Sequence, residues 1–506
     1  MTDTAERQRF ALFAISFAAI AATSFCFVLR ALVVDTWGVE YALSGTQKGE
    51  LLGVGLWPFA ITIVLMSLFI DRIGFRTAFV FAAAMHAGGL AIILSASGYW
   101  MLYAGTFAMA LGNGAVEAAA NPLVATLYPE DRSKWLNRLH AAWPGGMIAG
   151  GLLAMAMADG FGWRAKVFLM ALPVAIYALM LLRQRFPVSE RVAAGVPYRT
   201  MIGEAGWISA LLVVGLMVME LGRVGGWPAP VQIGVIAAVT IAFGLWSRSA
   251  GRLLYIILIL LMIPLAITEL STDSWISSLL APELGRHGWQ PGWVLVFTAG
   301  IVFVVRLFAG TIIGVLTPFV TLALASALAA AGLYLLAGAE AGGIVLAATL
   351  YGVGKSFFWG TSLAVASDRF PRGGAVTINV IAGVGMLAAG ILGSTLLGSV
   401  QDRATATAMV AHDTANRTTL SQRYLVERPA SVFGSYRALD DRALATAPEA
   451  DRQLIAGMVE ASKKEALRDM ALLPIATMIA FLMLAVWFRR RGGYAAVRLD
   501  TVADER

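Results

Sequence analysis

Gly112-Asn113-Gly114-Ala115-Val116-Glu117-Ala118-Ala119-Ala120-Asn121-Pro122 sets a single carboxylate in the middle of an apolar run that extends over about residues 100–127. A helix of that length crosses the roughly 30 Å hydrocarbon core of a bilayer. A charge at its centre costs about 2.5 kcal/mol or more, so such a residue faces a bundle interior or a water-filled cavity and takes part in function. Outward from this stretch, further runs fall at about 9–34, 49–70, 76–97, 138–159, 164–182, 205–222, 229–247, 252–281, 290–315, 317–338, 341–366, 374–400 and 470–488, which makes fourteen expected transmembrane helices. Apolar residues are 59% of the chain and charged residues 14%. This composition excludes a soluble globule and gives an all-α polytopic membrane protein embedded in a lipid bilayer.

The net charge of +7 comes from arginines scattered over short loops, with no basic face, so no nucleic-acid partner is expected. Arg72 and Arg76, Arg132 to Arg138, Arg183 to Arg199, Arg248 and Arg252, Arg369 and Arg372, and Arg489 to Arg491 fall in alternate loops. The excess of positive charge on cytoplasmic loops then puts both termini in the cytoplasm and the protein in the inner (plasma) membrane. Arg164 and Lys166 face the other way and are expected to snorkel from a helix end. Arg7 and Arg9 precede a run too long for an ordinary signal peptide, which reads as an uncleaved first helix. One cysteine, Cys26, rules out a disulfide framework. His86 and His140 stand far from other ligand types, there is no nucleotide-binding loop, and no nucleophile is spaced beside a base. Neither a metal, an enzyme activity nor ATP-driven transport is expected.

Gly112-x-Gly114, the loop Pro129-Glu130-Asp131-Arg132, Gly145-Gly146-Met147 and Gly150 recur about 240 residues later as Gly352-x-Gly354, Ser367-Asp368-Arg369, Gly385-Met386 and Gly390. Two six-helix halves related by an axis along the membrane normal follow from that period. The expected organisation is an N-terminal bundle over 1–182, a linker and two inserted helices over 183–251, and five helices of the second bundle over 252–400. An extracytoplasmic, mostly helical insert over 401–469 and a last helix and tail over 470–506 complete it.

In helices 1 and 4 of the two halves the internal charges are Arg30, Glu117, the pair Glu269 and Asp273, and Lys355; Arg306 lies in the second helix of the second half. Glu117 reads either as a fixed ion-pair partner or as a proton-binding group. Glu269 and Asp273 share a helical face and need a cation. Lys355 or Arg306 would make them a structural network, and a proton or Na+ a coupling site. Asn121 offers an amide beside the cavity, and Pro122 frees a carbonyl. Arg306 and Arg30 are candidates for binding an anionic solute or for stitching and snorkelling roles. Trp275 and Trp359, beside the cavity charges, could stack on a solute or simply pack.

Asp71-Arg72-Ile73-Gly74-Phe75-Arg76 resembles the G-x-x-x-D-R-x-G-R-R loop of the major facilitator superfamily, with Ser67 and Phe75 departing from the pattern. Glu117-Ala118-Ala119-Ala120-Asn121-Pro122 with Leu136-Asn137 is similar to the helix 4 to helix 5 motif of the fucose/galactose/glucose:proton symporters, and Phe358 through Thr361, Gly373-Gly374 and Gly383-x-Gly385 to Asp402 are similar to helices 10 and 11 of that family. The resemblance implies twelve core helices in two bundles, alternating access, a gating role for Asp71, Arg72 and Arg76, and a protonatable carboxylate at Glu117. The helix 1 aspartate of those symporters has no counterpart, since Arg30 stands there.

The resulting expectation is a monomeric secondary transporter of a small polar solute, a sugar or related compound, driven by a proton gradient or by Na+. Glu117, Glu269 and Asp273 would couple protons, while Asn121, Trp275, Lys355, Trp359, Arg30 and Arg306 would contact solute. Rival readings are an organic or inorganic anion carrier, an amphiphile exporter, and a membrane sensor or scaffold acting through the insert.

Overall fold

Runs of apolar residues become helices because a bilayer interior leaves every backbone group to be satisfied within its own segment. The computed structural model describes residues 3–41, 51–157, 161–182, 184–289, 292–340, 342–431 and 434–498. The first bundle comprises α1 (Asp3–Glu40), α2 (Trp57–Ile73), α3 (Phe75–Leu94), α4 (Tyr99–Leu127), α5 in two pieces (Arg132–His140 and Ala142–Ala156) and α6 (Trp163–Met180). Then come α7 (Tyr198–Gly225) and α8 (Ala229–Ser247). The second bundle comprises α9 (Leu253–Ala266, continued to Arg286), α10 (Gly292–Leu316), α11 (Pro318–Leu336), α12 in two pieces (Gly342–Lys355 and Phe358–Arg369), α13 (Gly374–Leu387, continued to Asn416) and α14 (Leu472–Arg490). Eleven of the described helices are long and apolar enough to cross a membrane. The 29-residue α4 and the two broken helices α5 and α12 bring the membrane helices among the described residues to fourteen, twelve in the two bundles and two inserted.

The halves meet where α2 and α4 pack on α13 and where α5 packs on α10 and α12. Within the first bundle, small residues allow close helix approach. A Cβ on Gly146 would stand 2.2 Å from the Ala21 carbonyl oxygen, and one on Gly114 would stand 2.4 Å from that of Phe59, so α1 and α2 contact the first bundle's inner helices backbone to backbone.

The first and last described segments lie on one face. Arg9 pairs with Glu130 at 2.5 Å, while the Tyr494 hydroxyl donates to Asp368 (3.0 Å) and the Val497 amide to the Asp368 carbonyl (2.8 Å). On the opposite face the Glu40 carboxylate accepts from Trp163 (2.5 Å) and Arg164 (3.1 Å), which ties the end of α1 to the start of α6. Burial pushes that carboxyl up, and the bonds from Trp163, Tyr41 and Arg164 outweigh it and hold it below the usual carboxylate range.

The insert, mostly helical, also holds an element that its residue spacing does not announce. The continuous helices Pro371–Asn416 and Glu449–Arg490 are 46 and 42 residues long, roughly twice what a bilayer needs, and they carry the insert away from the bundle. Between them lies an antiparallel hairpin, β1 (Leu425–Ser431) with β2 (Gly434–Leu439), with Leu425 opposite Leu439 and Glu427 opposite Arg437. The stretch from Tyr436 carries alanine-rich helical spacing, yet its first residues pair as a strand. Met409, Leu420, Tyr424, Ala447 and Ile455 form a small separate core that fixes them.

Candidate functional site

Two prolines expose backbone acceptors between the bundles. Pro122 has no N–H for the Ala118 carbonyl one turn back, and that oxygen accepts from Asn379 Nδ2 of α13 (2.9 Å). Pro144 likewise has none for the His140 carbonyl at the break in α5, and that oxygen accepts from Arg306 Nη1 of α10 (3.0 Å). Arg306 also donates through Nε to the Ser356 carbonyl at the break in α12 (2.9 Å) and through Nη2 to Glu269 (2.5 Å). One guanidinium therefore ties together two helix breaks and a carboxylate.

Glu117 belongs to the same network. Asn121 Nδ2 donates to its Oε2 (2.8 Å), and Asn121 Oδ1 is 2.9 Å from His140 Nε2. With Nδ2 engaged as the donor, Oδ1 is an acceptor, so His140 carries its hydrogen on Nε2. The chain of contacts runs from Glu117 through Asn121 and His140 to Arg306 and Glu269, crossing from one bundle to the other. No Lys or Arg among the described residues lies within 4.0 Å of the Glu117 carboxylate, although the residue is only 4% exposed. A buried carboxylate without a cation is stable when protonated and costly when charged.

Phe59, Ile63, Glu117, His140 and Trp143 from the first bundle, and Glu269, Leu270, Arg306, Trp359 and Met386 from the second, enclose a cavity of about 30 Å3. That volume holds one or two water molecules, so this is a closed form of the site. Phe59 and Trp143 stack at 6.3 Å on one wall. Among the described residues Glu269 Oε2 has no hydrogen-bond partner, leaving one acceptor at the cavity.

The other charges separate from this centre. Asp273 pairs with Lys355 (2.5 Å) and accepts from Tyr351 (3.1 Å), so each carboxylate of α9 has its own cation. A π-helical turn, Ile267–Ser271, lies between Pro264 and Asp273 and carries Glu269. Arg30 is 3% exposed, lies against Gly55, donates to the Cys26 carbonyl (3.4 Å) and is not among the cavity residues. The Trp275 side chain lies outside the described residues.

At the face bearing the termini, Asp71 accepts from Ser189 (2.7 Å) and Arg191 (2.7 Å) of the linker, while Arg72 sits 5.0 Å from the Tyr198 ring and Arg76 is exposed. Arg132 donates to the Ser367 carbonyl (3.0 Å) and Glu190 (2.6 Å), Asn137 to Thr361 (3.2 Å), and Arg138 to the Leu307 carbonyl (3.3 Å). These bonds clamp the two bundles together on that face. From sequence, Asn137 enters only within the helix 4 to helix 5 motif, and no site role falls to His140, Trp143 or Asn379. The usable signal was Pro144, which frees an acceptor four residues back just as Pro122 does.

Residues 11–394 match the sequence profile of the Major Facilitator Superfamily. The chain belongs to this superfamily. Its members are membrane transporters and not enzymes, so this is a multi-pass membrane transporter. Over 169 residues, 33% of the chain, it is 24% identical to the niacin transporter NiaP of Acinetobacter baylyi, and this match spans 37% of that protein's length. The fold is similar to that of the Escherichia coli fucose:proton symporter FucP, with a TM-score of 0.54 and 14% identity, over 92% of this chain and 99% of that one. It is similar to the proton:xylose symporter XylE bound to 6-bromo-6-deoxy-D-glucose, with a TM-score of 0.61 and 12% identity, over 94% and 96%. The human organic anion transporter MFSD10 has a TM-score of 0.57 and 11% identity over 94% and 99%.

Proposed function

We propose that the protein is a proton-coupled secondary transporter of a small neutral polar solute, a sugar or related polyhydroxylated compound, with both termini cytoplasmic in the plasma membrane. The observation that carries this reading is Glu117: a buried carboxylate at the inter-bundle cavity whose hydrogen-bond partner is the neutral Asn121 amide. Protonation removes a buried charge, and the relay through Asn121 and His140 delivers that change to Arg306 of the other bundle. A proton can shift the balance between open states only through its different affinity for them, and in this proposal the link from Glu117 to both halves supplies that difference.

The wall chemistry favours a hydroxylated solute. Trp143, Trp359 and Phe59 offer flat apolar faces, and the free Oε2 of Glu269 offers an acceptor for a hydroxyl. An anion is disfavoured because Arg306 is already bound to Glu269 and two carbonyls, and Lys355 to Asp273. The clamp from Arg132 to Arg138 would then be the closed cytoplasmic gate. Uptake of labelled monosaccharides, polyols and monocarboxylates into proteoliposomes, with and without an inward proton gradient, tests the reading. Accumulation of a neutral solute that collapses with the gradient supports it, and gradient-independent uptake of carboxylates alone overturns it.

A further inference from the structure

The inserted helices α7 and α8 hold a second site, which shares no lining residue with the central cavity. Trp207, Thr240, Ile241, Gly244, Leu245 and Arg248 are among the residues around a groove of about 490 Å3, within the roughly 300–1,000 Å3 range of ligand pockets. Thr240 and Ser247 are the buried residues of α8, so most of this helix faces outward with apolar side chains. The groove opens on that surface at the end of the pair nearest the termini, where the Tyr198 and Trp246 rings lie tilted against each other at 5.7 Å.

The mouth of the groove is built by the backbone. Gly206 takes φ 68 and breaks α7, and the segment after α8 wedges into the break so tightly that a Cβ on Gly206 would meet the Gly251 nitrogen at 2.0 Å. The Trp207 amide donates to the Ser249 carbonyl (3.0 Å), the Arg252 amide to the Glu204 carbonyl (3.1 Å) and the Ser249 hydroxyl to the Gly203 carbonyl (2.7 Å). Arg248 is held in the left-handed region at φ 50, a conformation a non-glycine residue keeps only where the surroundings impose it. Its guanidinium is exposed, with no carboxylate within 4.0 Å among the described residues. Deeper in the groove Thr240 is 8% exposed and its hydroxyl has no hydrogen-bond partner among the described residues.

We infer that this groove binds an anionic glycerophospholipid from the leaflet on the termini's side. Arg248 takes the phosphate, the Trp207 indole N–H faces the ester region, and one acyl chain lies along Gly244, Ile241 and Thr240, which is about 12 Å deeper than Arg248 along the helix. A basic residue at the mouth of an apolar crevice between membrane helices has the charge and polarity order of such a lipid. The inference is independent of which solute is carried.

Native mass spectrometry of the purified protein with equal phosphatidylglycerol and phosphatidylcholine tests it. The parent should retain phosphatidylglycerol about fivefold over phosphatidylcholine, the factor that about 1 kcal/mol per arginine near anionic lipid gives. Arg248→Gln should bring the ratio to about one, and Arg248→Lys should keep it. Gly244→Leu should reduce retention of both lipids, because its Cβ stands at an ordinary 3.4 Å from Trp207 while the longer side chain fills the groove. An unchanged ratio in Arg248→Gln overturns the site. So does displacement of the lipid by millimolar glycerol 3-phosphate, which would make it a soluble-phosphate site.

Discussion

Glu269→Gln and Arg306→Gln break the same ion pair, and the pair's burial predicts that they will respond differently to pH. The side chains are 9% and 3% exposed, 2.5 Å apart. In Glu269→Gln the guanidinium stays charged, because arginine does not lose its proton in proteins. Breaking a buried pair from one side costs about 3–5 kcal/mol. The Ser356 and His140 carbonyls still accept from Arg306, which puts this variant near the lower end, about 3 kcal/mol at any pH from 5 to 8. Arg306→Gln leaves a carboxylate, which can instead take up a proton. Protonating an ordinary glutamate costs about 1.36 kcal/mol per pH unit above about 4.3, so about 3.7 kcal/mol at pH 7 and about 1 kcal/mol at pH 5. The folded variant then binds a proton that the unfolded chain releases, so its stability rises as pH falls. Arg306→Gln should regain about 2.7 kcal/mol between pH 7 and pH 5, relative to the parent at each pH, and Glu269→Gln should regain none. The only cysteine, Cys26, is fully buried, so a thiol-reactive dye reports unfolding directly. Parallel pH responses of the two variants would refute the ion-pair account.

Asn379→Leu should cost about 1–3 kcal/mol by leaving the Ala118 carbonyl without a donor, and adding Pro122→Ala should restore part of the loss by supplying the missing N–H. The same dye assay decides it, and a double variant no better than Asn379→Leu alone would count against the freed-carbonyl argument. A Cβ on Gly360 would stand 2.7 Å from Asn137 Oδ1 and 2.9 Å from Asn137 Cα, so Gly360→Ala should push α12 off α5 and weaken the clamp by about 1–3 kcal/mol. Alkylation of Ser362→Cys should then quicken by at least about fivefold, and an unchanged rate would show that the clamp does not hold this face shut. In the insert, burial raises the Asp413 carboxyl, but bonds from Ser421, Thr418 and Leu420 outweigh it and hold it far below the usual range. A depressed carboxyl contributes stability above its unfolded value, which is lost as pH falls through the folded one. Proteolysis of the insert should therefore be flat from pH 8 to pH 5 and faster throughout in Asp413→Asn; equal rates in the two proteins would contradict this.

Much of the bundle was legible because a bilayer leaves few choices: apolar runs of about 20 residues become helices, and their charges stand out. Glu117, Glu269, Arg306 and Trp359 come together at one cavity, and Asn121 lies directly behind Glu117. Which carboxylate of α9 takes which cation was not legible. Glu269 and Asp273 are four apart on a helical face, and the π-helical turn that precedes Asp273 leaves no mark in the hydrophobic pattern. His140 and Trp143 carry no charge and read as ordinary helix residues on either side of Ala141. The hairpin in the insert was hidden because strand pairing there depends on a small tertiary core and not on the local alanine-rich spacing.

The central claim is that Glu117 binds the coupling proton, and it is tested most directly by comparing two transport modes of Glu117→Gln in proteoliposomes. Glutamine keeps the shape and the hydrogen bond to Asn121 but cannot change charge. Equilibrium exchange of labelled solute should survive in the variant, while accumulation driven by an inward proton gradient should be lost. Full gradient-driven accumulation by Glu117→Gln would contradict the account.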